Sequence, residues 1–196
     1  MLSSEQKVAV ISGDALGIGL ACAKRFAKDN YRLLVIDRSE DLLAETCQEI
    51  RANKGSCLAY YGDIANELTS QLDCEKAISE WGRIDVLVGN AGVQIGGELL
   101  KSSEEDWDKI LGVNLKGVAY SCKAVLSTMV EQERGSIVII SSINVLSGSA
   151  AMAIYDASKA AVLGLMNTNF HFPLTVTSLK QWKLIADCKQ VRWKVN

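Results

Sequence analysis

Short apolar runs alternate along this chain with longer segments in which apolar residues recur at helical spacing. The runs are continuous rather than alternating, which predicts strands covered on both faces, as in a parallel sheet. They lie at residues 8–11, 33–36, 57–61, 86–88 and 137–140. The helical segments lie near residues 17–29, 40–53, 66–82, 103–132 and 152–167. This order predicts an α/β fold with a doubly wound parallel sheet and right-handed crossover connections.

Polar residues and glycines follow the predicted strands. A doubly wound sheet binds its ligand outside the carboxyl ends of the strands, where the strand order reverses. These residues are therefore the first candidates for a functional site. In chain order they are Gly13, Asp37, Asp63, Asn90 and the pair Ser141 and Ser142.

The turn after the first strand reads Ser12-Gly13-Asp14-Ala15-Leu16-Gly17-Ile18-Gly19 and leads into a predicted helix. Glycines permit a tight turn and let N–H groups at the helix N-terminus approach a pyrophosphate. Three glycines alone are weak evidence, but the strand before them and the helix after them supply the expected context. We therefore expect a phosphate-binding turn, with an ordinary glycine turn as the alternative. The residues expected to contact the cofactor are Gly13, Leu16, Gly17, Ile18 and Gly19.

The second predicted strand ends in Asp37, and Arg38 follows it. A carboxylate at this point accepts hydrogen bonds from the hydroxyls of an adenosine ribose and repels a 2′-phosphate. We therefore expect NAD rather than NADP as the cofactor, although the guanidinium of Arg38 is a group that pairs with a 2′-phosphate. The alternative role of Asp37 is to cap the helix that follows.

The third and fourth predicted strands end in further candidates for nucleotide binding. Asp63 and Ile64 offer a carboxylate and an apolar side chain to the amino group and the face of an adenine. An N-terminal cap for the next helix is an equally physical role for Asp63. Asn90, Ala91 and Gly92 are small enough to let a ribose approach the backbone, while the asparagine amide bridges strands. A plain turn is the alternative for these three residues.

The composition narrows the class of protein. The chain has 196 residues, 48% of them hydrophobic, which indicates one globular domain. A net charge of -2 gives no basic surface for nucleic acid. The six cysteines form no C-x-x-C pair, and His171 is the only histidine, so we expect buried thiols and no metal site. No segment has the length of a membrane span or a signal peptide, and we expect a cytoplasmic protein without membrane binding.

The candidate residues stand in the order and at the spacing of a known family. The motifs are Gly13-x-x-x-Gly17-Ile18-Gly19, Asp63, Asn90-Ala91-Gly92, Asn114, Ser142 and Tyr155-Asp156-Ala157-Ser158-Lys159. Over about residues 5–167 the chain resembles the single-domain short-chain dehydrogenase/reductase family. The resemblance implies a Rossmann-like three-layer fold and hydride transfer between NAD(H) and a secondary alcohol or ketone.

Tyr155 and Lys159 are four residues apart in a predicted helix and therefore share one face of it. A tyrosine of ordinary pKa, about 10, acts as a base near neutral pH only if a positive charge stabilises its phenolate. Lys159 supplies that charge, and Ser142 is expected to hydrogen-bond the substrate oxygen. The resemblance implies that Lys159 also holds the nicotinamide ribose beside Tyr155. It further implies that Asn114 holds a water that links Lys159 to solvent.

The resemblance also predicts how the subunits associate and what class of substrate binds. The helices predicted at 103–132 and 152–167 resemble the pair through which subunits of this family associate, so we expect a homodimer or homotetramer. The substrate is expected to be a small alcohol or ketone. Gln94, Ile95 and residues 146–151 predict an apolar rim with few polar anchors. Such a rim leaves a steroid, a sugar alcohol, a small diol and a 3-oxoacyl thioester open as substrates.

The last part of the chain departs from the family pattern. Residues 1–167 are predicted to form the dinucleotide-binding domain, and residues 168–196 a divergent C-terminal tail. All glycines lie at or before Gly164, whereas the only proline, Pro173, lies in the tail and is not followed by glycine. We therefore expect the sheet to lack its last one or two strands. The alternative to an active dehydrogenase is a truncated family member, which binds a nucleotide or a partner protein and has weak turnover or none.

Overall fold

The computed structural model describes residues 6–13 and 15–167. Within this part the chain forms a five-stranded parallel sheet with helices on both faces, which confirms the predicted fold class. The tail predicted at residues 168–196 lies outside the described residues. The strands are β1 (Val8–Ser12), β2 (Arg32–Asp37), β3 (Ser56–Tyr61), β4 (Val86–Gly89) and β5 (Ser136–Ile139).

The helices follow the predicted segments closely. In chain order they are α1 (Gly17–Lys28), α2 (Glu40–Ala52), α3 (Glu67–Trp81), α4 (Glu104–Leu111), α5 (Val118–Glu131), α6 (Asn144–Ser147) and α7 (Ala153–Asn167). The long helix predicted at 103–132 is α4 and α5 joined by a π-helical segment, Gly112–Gly117. The pattern did not predict that segment, nor α6, nor a 3-10 turn at Leu99–Lys101.

The strand order is β3-β2-β1-β4-β5. The chain moves outward from β1 to β3 and then returns to place β4 on the other side of β1. The strand order therefore reverses between β1 and β4. Ser12 pairs with Ile36 of β2 and with Gly89 of β4, so the carboxyl ends of the central strands lie level at one edge of the sheet. This edge is where a doubly wound sheet binds its ligand.

The central strands are covered on both faces. Val8 and Val10 pack in one core cluster with residues of α3, α5 and α7, whereas Ala9 and Ile11 pack in a second cluster with residues of α1 and α2. Successive residues of a strand point to opposite faces of the sheet. The apolar runs in the sequence are continuous because each face of the sheet packs against its own core cluster.

The turn that leaves β1 is possible only with glycine. Gly13 has a φ of +67°, and its N–H donates to the carbonyl of Ile36 at 2.8 Å. A Cβ on Gly13 would lie 2.6 Å from the Cα of Ala91. Gly17 also has a positive φ, +60°, but among the described residues no atom lies within 4 Å of where its Cβ would be. The two glycines therefore share a backbone conformation, and only Gly13 is also required by close packing.

Asp73 of α3 is a carboxylate buried in the fold, with 1% of its surface exposed. Its Oδ2 has no hydrogen-bond partner among the described residues. Burial raises the pKa of Asp73 from 3.8 to about 7, although hydrogen bonds from Cys74 act in the opposite direction. The folded state thus binds this proton more tightly than the unfolded chain does. The contribution of Asp73 to stability therefore falls as the pH rises from about 4 to 7.

We predict that Asp73→Asn unfolds at higher urea concentration than the wild type at pH 8 and shows no such gain at pH 3.5. The amide removes a buried charge that costs on the order of 1 kcal/mol or more at pH 8. Asp108→Asn, which changes an exposed helical carboxylate in the same way, is the control. A gain of equal size at both pH values would contradict the assignment of the effect to ionisation of Asp73.

We predict that Gly13→Ala lowers the free energy of unfolding by clearly more than Gly17→Ala does. Both alanines carry the cost of a left-handed residue, about 1–2 kcal/mol. Only the alanine at position 13 meets backbone atoms that have no room to move. Urea unfolding of the two variants measures the difference, and equal losses would show that the contact of Gly13 with Ala91 contributes nothing.

Candidate active site

A hydrogen-bond clamp joins the ends of β1 and β4 where the strand order reverses. The Oγ of Ser12 accepts from the backbone N–H groups of Asn90 at 3.2 Å and Ala91 at 3.3 Å. The Nδ2 of Asn90 donates to the carbonyls of Ser12 at 3.2 Å and Gly13 at 2.6 Å. Asn90 therefore bridges the two strands, and its neighbours Ala91 and Gly92 lie directly beside the glycine turn.

The glycine turn leaves the N-terminus of α1 exposed. Leu16 occupies the N-cap position without a side-chain cap, and the first turn of the helix holds no acidic residue. Leu16 is 66% exposed, Ile18 is partly buried, and Gly19 is buried where the helix packs on the sheet. The N–H groups at the start of a helix have no partner within it and favour an anion. With the open space beside Gly17, this arrangement fits a pyrophosphate.

Asp37 connects the end of β2 to the glycine turn. Its Oδ2 accepts from the N–H of Ala15 at 3.3 Å, and its Oδ1 accepts from the N–H of Ser39 at 3.0 Å. The N-cap residue of α2 is Ser39, so Asp37 does not occupy the capping position that was the alternative role. A carboxylate has about four lone pairs, and those left over are available to ribose hydroxyls.

Asp63 and Ile64 follow β3, and the structure gives them different environments. The Oδ1 of Asp63 accepts from the N–H of Ala65 at 2.9 Å, while Asn66 is the N-cap residue of α3. Asp63 remains about half exposed at the sheet edge. Ile64 is only 5% exposed, and its Cδ1 lies 2.7 Å from where a Cβ on Gly117 would be. Ile64 therefore belongs mainly to the core, and little of it faces a ligand.

Asn114 lies in the π-helical segment and is fully buried. Its Oδ1 accepts from the N–H of Val93 at 2.8 Å. Its Nδ2 donates to the carbonyl of Val93 at 2.9 Å and to the Oγ of Ser158 at 3.0 Å. Both amide hydrogens are used, so the second lone pair of Oδ1 is what the side chain has left for a water. Asn114 thus ties the loop after β4 to α7.

Lys159 lies at the centre of the site, only 4% exposed. Its Nζ donates to the carbonyl of Ile140 at 2.9 Å and lies 5.9 Å from the centre of the Tyr155 ring. Nζ is also 3.3 Å from where a Cβ on Gly92 would be, so a side chain at position 92 would crowd the ammonium. Burial lowers the pKa of Lys159 to about 8. The ammonium is therefore the main form at neutral pH and is progressively lost above pH 8.

Ser141 and Ser142 connect the end of β5 to this helix. The Oγ of Ser141 donates to the carbonyl of Lys159 at 3.0 Å, which fixes α7 against the strand. The Oγ of Ser142 accepts from the N–H of Asn144 at 3.2 Å and is partly exposed. Tyr155 is partly exposed as well, so neither residue is closed off from a small molecule.

Two uncharged loops border Tyr155. No charged residue occurs in residues 91–97 or 140–155. The loops are joined by a hydrogen bond from the N–H of Gly97 to the carbonyl of Ala151 at 2.8 Å and by a contact of Gln94 with the Sδ of Met152 at 3.5 Å. Leu146 is 79% exposed. The rim is therefore uncharged, with exposed apolar side chains such as Leu146 and exposed polar ones such as Gln94 and Ser147.

Three serines organise the site, and only Ser141 was among the candidates that the sequence singled out. Ser12 clamps β1 to β4, Ser141 holds the backbone of Lys159, and Ser158 accepts from Asn114 and donates to the carbonyl of Tyr155 at 2.7 Å. Their only signal was a small polar residue at a strand end or inside the tyrosine–lysine segment. Serine is too common at such positions for that signal to be specific.

Two other classes of site are absent from the part of the chain that the structure describes. No group of three or more histidine, cysteine, aspartate or glutamate side chains is placed to hold a metal ion there. Among the same residues, no helix is long and apolar enough to cross a membrane.

The arrangement has counterparts among known proteins. Residues 7–171 match the sequence profile of the short chain dehydrogenase family. The chain is 37% identical over 164 residues to a 3-oxoacyl-acyl-carrier-protein reductase, FabG, of Thermotoga maritima, covering 84% of this chain and 67% of that protein. It thus spans about two thirds of the length of the curated relatives it matches.

Solved structures show the same fold. A short chain dehydrogenase/reductase from Burkholderia phymatum in complex with NAD is 35% identical, with a TM-score of 0.83 over 87% of this chain and 61% of that one. A metagenomic short-chain oxidoreductase in complex with NADP is 33% identical, with a TM-score of 0.79 over 84% of this chain and 75% of that one. The chain belongs to the short-chain dehydrogenase/reductase family.

Proposed function

We propose that this chain is an oxidoreductase that transfers a hydride between NAD(H) and a secondary alcohol or ketone. The observation that carries the proposal is the buried ammonium of Lys159, 5.9 Å from the ring of Tyr155 at the carboxyl edge of the sheet. Among the described residues no carboxylate pairs with Lys159, whose Nζ donates to the carbonyl of Ile140, and a buried lysine in that state is costly to the fold. Its presence beside an accessible tyrosine is therefore best explained by proton transfer at that tyrosine.

The proposed chemistry divides the reaction between the cofactor and the side chains. A bound nicotinamide accepts or supplies the hydride. In alcohol oxidation, the substrate O–H donates its proton to the Tyr155 oxygen as the C–H bond breaks and the carbonyl forms. The ammonium of Lys159 favours the phenolate form of Tyr155. Ser142 hydrogen-bonds the substrate oxygen and keeps it beside the tyrosine.

Asn114 and Lys159 have further roles in the proposed reaction. Lys159 would hold the nicotinamide ribose, and the glycine at position 92 keeps a side chain away from the ammonium. Asn114 holds the loop after β4 in place and supports a water that passes protons between Lys159 and solvent. Because burial lowers the pKa of Lys159 to about 8, this lysine can exchange a proton near neutral pH.

The residues proposed to hold the dinucleotide line the carboxyl ends of four neighbouring strands. The turn between β1 and α1 would bind the pyrophosphate, Asp37 the adenosine ribose, and Asp63 with the exposed part of Ile64 the adenine. Two observations support this placement of the dinucleotide. They are the open space beside Gly17 and the hydrogen bonds by which Asn90 joins β4 to β1. The full set is Gly13, Leu16, Gly17, Ile18, Gly19, Asp37, Asp63, Ile64, Asn90, Ala91, Gly92, Tyr155 and Lys159.

We favour NAD over NADP because the carboxylate of Asp37 stands at the end of β2, beside the glycine turn. For the substrate, 3-oxoacyl and 3-hydroxyacyl thioesters are the first class to assay. The similar protein of Thermotoga maritima is a 3-oxoacyl reductase, and the uncharged rim with Leu146 suits an acyl chain.

We also propose that two copies associate through α5 and α7. A groove with a volume of about 470 Å³ runs along this face, and its lining is almost entirely apolar. Its lining includes Ala119, Leu126, Ser127 and Val130 of α5 and Leu165 of α7. The same face of a second copy would remove this apolar surface from water.

We predict that the purified chain interconverts NAD and NADH with such a thioester pair, and that Tyr155→Phe lowers kcat by about a hundredfold to ten-thousandfold. NAD should still raise the melting temperature of the variant, because phenylalanine preserves the fold and most of the nucleotide contacts. Tyr31→Phe, which removes a hydroxyl at the opposite edge of the sheet, is the matched control.

A kcat of Tyr155→Phe within about tenfold of the wild-type value would overturn the assignment of the site. A wild-type chain that NAD stabilises and that turns over no alcohol or ketone would favour the alternative, a nucleotide-binding form without effective turnover. A wild-type chain that millimolar NAD does not stabilise would reject both.

We predict a dimer in light scattering and conversion toward a monomer by Ser127→Asp. This exposed serine lines the groove, and two aspartates facing each other across a twofold axis would repel. Ser79→Asp places the same charge on an exposed position of α3 and should leave the dimer unchanged. A wild-type monomer at working concentration would contradict the proposed interface.

A further inference from the structure

Arg38 and Asp63 form an ion pair at the edge of the sheet where the adenosine is proposed to bind. Arg38 follows β2 and Asp63 follows β3. These strands are direct neighbours, and Asp37 lies opposite Tyr61 in their register. The Nη1 of Arg38 lies 3.5 Å from the Oδ2 of Asp63, and the two side chains are 56% and 44% exposed. The pair thus spans the ends of two adjacent strands.

The carboxylate that Arg38 contacts is that of Asp63, although Asp37 is its neighbour in the sequence. Both oxygens of Asp37 already accept backbone N–H groups, from Ala15 and Ser39. The Oδ1 of Asp63 accepts from Ala65, which fixes the carboxylate with its Oδ2 toward the guanidinium. The carboxylate that lies against the guanidinium is therefore that of Asp63, at the end of β3.

A guanidinium at this position is the group that accommodates the 2′-phosphate of NADP. In this chain the guanidinium has a carboxylate partner before any nucleotide arrives. A 2′-phosphate must compete with Asp63 for Arg38, whereas the 2′-hydroxyl of NAD has no negative charge to offer and leaves the pair intact. Only the binding of NADP therefore requires that the ion pair between Arg38 and Asp63 be broken.

We propose that Asp63 is a specificity-determining residue that favours NAD by holding Arg38 away from a 2′-phosphate. This role is separate from any contact of Asp63 with the adenine, which NAD and NADP share. It rests on the proposed function, since it requires that the site bind a dinucleotide. Asp63 acts here as a positioning residue, through Arg38.

The size of the expected effect follows from the exposure of the pair. An exposed ion pair contributes at most about 1 kcal/mol, which corresponds to about a fivefold change in an equilibrium constant. Removing the charge of Asp63 also weakens its direct repulsion of the phosphate, with or without Arg38. Only the part of the change that depends on Arg38 measures the proposed role.

The test is a double-mutant cycle on nucleotide affinity. Isothermal titration calorimetry gives the Kd of NAD and of NADP for the wild type, Asp63→Asn, Arg38→Gln and the double variant, each as the full chain. Asparagine keeps an oxygen that accepts from Ala65, so the loop after β3 should be preserved. Asp41→Asn removes the same charge from an exposed position at the start of α2 and serves as the control.

We expect Asp63→Asn to raise the affinity for NADP relative to NAD by about threefold to fivefold when Arg38 is present. With Gln at position 38 the same change should shift the ratio by clearly less, and Asp41→Asn should leave it unchanged. An equal shift in both backgrounds, or none, would overturn the role of Asp63 while the proposed function stands. If the wild type binds neither nucleotide at millimolar concentration, the proposed function fails, and this proposal fails with it.

Discussion

The structure depends on the close approach of two strand ends where the strand order reverses. Gly13 lies against the backbone of Ala91, and the side chains of Ser12 and Asn90 join the two ends by hydrogen bonds. This contact brings together two halves of the sheet that are far apart in sequence. One half supplies the glycine turn and the carboxylates after β2 and β3, and the other supplies the tyrosine, lysine and asparagine. With the ladder between β1 and β4, this contact keeps the two sets at one edge of the sheet.

From this point a chain of buried hydrogen bonds leads to the lysine. The loop after β4 runs from Ala91 to Val93, which pairs with Asn114, and Asn114 in turn contacts Ser158 of α7. Lys159 is anchored twice to the end of β5, through its Nζ and through its own carbonyl. Each buried polar group in this series has a partner, which is what makes a buried ammonium tolerable. The same hydrogen bonds therefore make the scaffold rigid and hold the reactive groups in place.

The sequence predicted the strands and helices well, because continuous apolar runs and helical spacing follow directly from burial on two faces. It did not reveal which strands are neighbours, since a run such as residues 33–36 shows only that both faces are covered. The π-helical segment around Asn114 was missed because a single π-helical turn inside a helix is rare, and the glycines at its ends, Gly112 and Gly117, only weaken a helix prediction. Ile64 was expected at an adenine and lies mainly in the core, and the pairing of Arg38 with Asp63 required the adjacency of β2 and β3.

An isotope-transfer experiment shows whether this edge of the sheet supports hydride transfer. The purified chain would be incubated with NAD and a 3-hydroxyacyl thioester that carries deuterium on C3, and the reduced nucleotide analysed by mass spectrometry. We expect reduced nicotinamide that is heavier by one mass unit, with the label on its C4 carbon, because the C3 hydride passes directly to the ring. Reduced nucleotide without the label, or none at all with this and other deuterated secondary alcohols, would contradict direct hydride transfer.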